Sequence, residues 1–82
     1  MTNSTTQTFV DFSNVNGVYE FFNGKETLKV IDRDHKYELL EKIEGDYFWI
    51  ADLRKPVTYS NSKELFLEAI NRIFKEVVGH RG

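Results

Sequence analysis

The chain has 82 residues, a formal charge of −2 and no cysteine, which bounds it to one small domain and removes disulfides, thiol catalysis and the common structural zinc sites. Between Val15 and Ser60 seven basic and nine acidic residues are interspersed, so no sub-region offers the clustered Lys and Arg that make nucleic-acid grip the main task. No apolar run reaches the roughly 18 residues of a membrane span, and no signal-peptide pattern opens the chain; with cysteine absent, a cytoplasmic home without membrane contact is expected.

Residues 1–8, "MTNSTTQT", are polar, Thr-rich and aperiodic, and are expected to be a disordered leader before one domain over residues 9–82. Phe9–Phe12, "FVDF", offers a short edge strand. A meander follows. "GVYEFF" runs into Asn23-Gly24, a two-residue hairpin signal because a type I′ turn needs positive φ at both positions; it sets Phe22 opposite Lys25 and Tyr19 opposite Leu28. "TLKVI" leads into the turn-forming Asp32–His35, which sets Val30 opposite Tyr37 and Leu28 opposite Leu39. Both hairpins put Tyr19, Phe21, Leu28, Val30, Tyr37, Leu39 and Ile43 on one face, with Glu41 as the polar exception.

The fourth strand carries Tyr47, Phe48, Trp49 and Ile50 in succession, so large groups point to both faces. A two-residue turn at Glu44-Gly45 or Gly45-Asp46, favoured as type II′, sends Phe48 and Ile50 to the core face. Tyr47, Trp49, Ala51 and Leu53 then go to the second face; a one-residue change of register reverses this. Pro56 takes the chain off the sheet. A helix follows, with Asn61 as N-cap, Glu64 as its capping-box partner and Gly79 as its stop. Leu65, Phe66, Ala69, Ile70, Ile73, Phe74 and Val77 form its apolar stripe, opposite Glu64, Glu68, Arg72 and Lys75.

The expected fold is thus α+β, a four-stranded antiparallel β-meander packed on one C-terminal α-helix (ββββα, two layers). One helix covers one face. The second face keeps Val18, Phe22, Ile31, Leu40, Tyr47, Trp49 and Leu53, interleaved with Lys29, Lys36, Glu38 and Lys42. Three aromatics of roughly 150–250 Å² each match or exceed the largest patch of a typical monomer, so this face is expected to be an interface. Its binding residues are Phe22, Lys29, Lys36, Leu40, Lys42, Tyr47, Trp49 and Leu53.

No nucleophile–base pair is legible around His35 or His80, and Asp32–His35 lacks the glycine and third ligand of a calcium loop. No catalytic group, metal or cofactor is expected. The functional expectation is a non-enzymatic homodimer that acts as an adaptor, regulator or inhibitor by binding a protein partner. The alternative is single-stranded nucleic acid, stacked on the same aromatics beside the lysines. In architecture alone, four strands and a helix resemble the dimeric transcriptional-coactivator single-strand binders, whose likeness implies that alternative.

Overall fold

The computed structural model describes residues 8–55 and 62–81. Five strands, β1 (Phe12–Val15), β2 (Val18–Phe22), β3 (Thr27–Asp32), β4 (Lys36–Ile43) and β5 (Asp46–Arg54), form one antiparallel sheet in the order β1-β2-β3-β4-β5. Helix α1 (Lys63–Arg81) packs on one face of it. The two-layer α+β class is as expected, with one strand more than the four read from sequence.

The additional strand comes from a second Asn-Gly pair. Asn16 and Gly17 adopt φ of 55° and 81°, the left-handed pair of a type I′ turn, and Val15 faces Val18 across it. The Asn14 side chain accepts a hydrogen bond from the Gly17 N–H at 3.2 Å. The edge strand therefore begins at Phe12 rather than occupying Phe9–Phe12. Residues 1–7 of the expected leader lie outside the described residues, and Phe9 has a different task. Its ring is buried between Phe21 (5.7 Å) and Phe74 (5.1 Å). Asn71 on α1 holds its backbone twice, accepting from Phe9 N (2.8 Å) and donating to Phe9 O (2.9 Å).

Asn23-Gly24, by contrast, is not a two-residue turn. Phe22 faces Thr27, and Asn23–Glu26 form a four-residue loop. The Asn23 carboxamide accepts from the N–H groups of Lys25 (2.9 Å) and Glu26 (2.7 Å) and donates to the Glu26 carboxylate (2.8 Å). That local network offers the backbone an alternative to the I′ geometry. The next hairpin also pairs two residues away from expectation, with Val30 opposite Leu39 and Leu28 opposite Glu41. Its turn is tightened by Arg33 N donating to Lys36 O (2.9 Å). Side chains alternate with period two, so shifts of two leave every face assignment intact. Phe21, Leu28, Val30, Tyr37 and Leu39 are all buried beneath α1.

The β4–β5 turn is the two-residue Glu44-Gly45, with φ of 53° and 90°; it is type I′ rather than II′. Glutamate is strained at positive φ, where asparagine is tolerated. Glu44→Asn is expected to stabilise the fold by about 0.5–1 kcal/mol, raising the melting temperature by about 2–8 °C in a thermal scan.

Helix α1 buries Phe66, Ala69, Ile70 and Phe74, while Glu64, Glu68, Arg72 and Lys75 are exposed as its pattern dictates. Leu65, read as part of the stripe, is 42% exposed. Ser62 caps the helix, its hydroxyl accepting from Leu65 N at 3.2 Å; Asn61 lies outside the described residues. Gly79 does not stop the helix, which runs on to Arg81.

Candidate functional site

The sheet face opposite α1 presents three rows across the strands. Register places Ser13, Glu20, Lys29, Leu40 and Trp49 in the middle row, and Val15, Val18, Ile31, Glu38 and Asp52 in the next. Phe22 and Thr27 of β2–β3, and Lys42 and Tyr47 of β4–β5, lie on the other side of the middle row. Phe22 is 62% exposed and Trp49 59%, while Leu40 and Tyr47 are half-buried. Lys36 faces Arg54 at the end of β4. Seven of the eight sequence-predicted binding residues are thus together on this face.

Leu53 is not among them. It is buried in the core at 8% exposure, and the reason is a β-bulge. Leu39 faces Ala51, but Leu40 faces Trp49, so Ile50 is an additional residue with no opposite number on β4. The insertion changes the parity of the strand beyond it. Tyr47 and Trp49 stay on the outer face, as expected from the short turn, while Ala51 and Leu53 return to the core side. Without the bulge, Asp52 and Arg54 would point at α1 and Leu53 at solvent.

The same insertion builds a hydrogen-bonded contact on the outer face. Residues three apart on a regular strand point to opposite faces. Here Trp49 and Asp52 share one, and the indole Nε1–H donates to Asp52 Oδ1 at 2.8 Å. Lys36 Nζ donates to the other carboxylate oxygen at 3.1 Å. Glu38 joins this network through Arg33 Nε (3.2 Å) and Lys36 Nζ (3.8 Å). Beside it, Lys29 Nζ stands 4.0 Å from the centre of the Tyr47 ring and Lys42 Nζ 6.0 Å from it, both within cation–π range. Val15, Val18, Ser13, Glu20 and Lys29 line a shallow hollow of about 280 Å³ toward the β1 edge.

The indole hydrogen bond, and then that of the Lys36 ammonium, hold the Asp52 carboxyl below the ordinary carboxylate value of 3.8. A depressed folded-state value means that this contact is intact above 3.8 and is lost as pH falls through the lowered value. The chain has one tryptophan, which makes the contact directly readable. Trp49 emission is expected to hold steady down to about pH 4 and to change only below it. In Asp52→Asn that acid transition should be absent. Far-UV circular dichroism over the same range separates it from unfolding, and a Trp49 transition near neutral pH would contradict the assignment.

A second polar cluster lies at the rim of the core face. Lys55 Nζ is ion-paired with Asp32, donates to Arg33 O at 2.7 Å and stands 5.0 Å from the Tyr37 ring centre. Burial pushes the Tyr37 phenol up, with Tyr19 and Asp32 adding to the shift. The hydrogen bond to Asp32 raises Lys55. Both shifts move these groups away from the neutral range in which a general base or an amine nucleophile works. Glu41, the polar exception on the core face, is buried at 3% exposure. Among the described residues, no buried side-chain nitrogen or oxygen lacks a hydrogen-bond partner, no group of three or more His, Asp or Glu converges as a metal site, and no helix is long and apolar enough to cross a membrane.

Among the contributors that sequence reasoning missed, Val15 and Asp52 stand out. Val15, 65% exposed, joins the face through the Asn16-Gly17 hairpin, a signal present in the sequence. Asp52 joins through the bulge, for which no local residue pattern stands out. Comparison with protein families, with curated proteins and with solved structures finds no match to this chain.

Proposed function

We propose that the chain is a small, cytosolic, non-enzymatic interaction domain that forms a homodimer through the outer sheet face and serves as an adaptor, regulator or inhibitor by binding another macromolecule. One observation carries the reading. Trp49 is 59% exposed yet fixed by its bond to Asp52. Exposed tryptophan ordinarily retains rotamer freedom that binding must remove; here that cost is already largely met. Rigid aromatic anchors of this kind, ringed by polar groups, dominate interface energetics.

Light scattering over a dilution series tests it. A mass of 19.4 kDa, twice 9.7 kDa, falling toward 9.7 on dilution, is expected. A mass of 9.7 kDa at every concentration would overturn self-association. The second reading, single-stranded nucleic acid, is favoured by Lys29 and Lys42 leaning on Tyr47 next to Trp49. It requires oligothymidylate to quench Trp49 at low salt and to be released steeply as salt rises. The homodimer reading expects no quenching.

A further inference from the structure

We infer that the second copy docks with a two-fold axis lying across the strands at Leu40, so that Glu38 of each copy meets Lys42 of the other. This rests on the self-association reading and adds the register of the interface. On the outer face of β4 the residues run Glu38, Leu40, Lys42, each two apart: an acid, an apolar group and a base. A two-fold interface brings residue i to j and j to i. An axis through Leu40 perpendicular to the strands reverses the order in the second copy. It pairs Leu40 with Leu40 and forms the Glu38–Lys42 contact twice.

Strand β5 agrees. The bulge aligns Asp52 with Glu38 and Tyr47 with Lys42, leaving Trp49 beside Leu40. The same operation then stacks Trp49 near Trp49 and brings the Tyr47 hydroxyl toward Asp52 of the second copy. Lys29 approaches its own counterpart, flanked in each copy by Glu20, its cross-strand neighbour. An axis running along the strands through β3 is worse, because it sets Val18 against Glu38 and Val15 against Asp52, leaving charged groups over apolar ones.

The area also suits a second copy. Five strands roughly 4.8 Å apart, with three outward rows spanning about 20 Å, present about 480 Å². Two copies bury about 1,000 Å² before side-chain relief, at the lower margin of specific interfaces. A reversible dimer, sensitive to charge placement, is the consequence.

Charge exchange tests the register. Sedimentation equilibrium is measured for the wild type, Lys42→Glu, Glu38→Lys and the double variant Lys42→Glu/Glu38→Lys, with Lys25→Glu in the β2–β3 loop as a control of equal charge change. Each exchange at 42 or 38 converts two attractive contacts into two repulsive ones and should weaken the dimer by about 30-fold. Lys25→Glu should leave it within about 3-fold. The double variant restores the attraction with unchanged net charge and should return to within about 3-fold of wild type. An equimolar mixture of the two single variants should form heterodimers, which covers the case in which Glu38→Lys disturbs its neighbours Arg33 and Lys36. If the wild type dimerises but Lys42→Glu behaves like Lys25→Glu, or neither the double variant nor the mixture recovers, this register is wrong while self-association stands. A wild type monomeric throughout overturns both.

Discussion

Phe66→Ala is expected to lower the melting temperature by about 15 °C or more, the largest loss from any single truncation on α1. The Phe66 ring lies within 5.5 Å of Phe12, 5.0 Å of Tyr19, 5.8 Å of Phe21 and 4.9 Å of Tyr37. It is where the helix meets β1, β2 and β4 together. Removing a buried phenyl costs about 3–5 kcal/mol through lost transfer energy and the cavity left behind. A chain of 82 residues has about 4–12 kcal/mol of total stability at ~0.05–0.15 kcal/mol per residue. One side chain thus carries about a quarter or more of the margin. Leu65→Ala, one residue earlier and 42% exposed, should cost less than about 1 kcal/mol. Urea denaturation of both gives the contrast. Equal losses would mean that α1 does not present Phe66 to the sheet.

Trp49→Ala and Leu40→Glu are expected to produce monomers at concentrations where the wild type is largely dimeric, with little change in fold. Trp49 is more than half exposed, so its truncation leaves no cavity in the core. In an interface, an aromatic anchor of this type contributes 2 kcal/mol or more, which corresponds to about 30-fold in the dissociation constant. Leu40→Glu acts differently, placing two like charges against each other at the proposed two-fold axis and desolvating both. Its effect should exceed that of Trp49→Ala. Circular dichroism and urea midpoints verify that each variant is folded. Dimers that survive both substitutions on dilution would rule out this face as the interface.

The sequence revealed which residues share a face better than it revealed which residues pair. Tyr19, Phe21, Leu28, Val30, Tyr37 and Leu39 sit beneath the helix because period-two alternation survives a slip of two, and both central hairpins slipped by that amount. Side-chain chemistry inside the loop caused the first slip: Asn23 prefers its own loop bonds to the turn that Asn-Gly ordinarily signals. Asn16-Gly17 did follow the signal and brought an unexpected strand. The position of Leu53 was beyond the reach of alternation, because an inserted residue reverses parity and is selected by the whole strand. Asp52 outside and Leu53 inside are satisfied together only with Ile50 bulged. Phe9 was legible as apolar, but its place between Phe21 and Phe74 depends on Asn71, 62 residues away.

The bulge at Ile50 also bears on what the sheet refuses. An antiparallel sheet ends in two rows of unpaired peptide groups, each a template on which another molecule's strand can grow. Here one boundary, β1, is only four residues long. Among the described residues the other, β5, has nine and would be the dangerous one. Its hydrogen-bonding line is broken near the middle, where the additional residue bends and twists the strand. An incoming β5 could stay in register on one side of Ile50 or the other, but not across it. The residue that turns Trp49 and Asp52 toward each other thus also interrupts the line along which strand-by-strand extension into filaments would run.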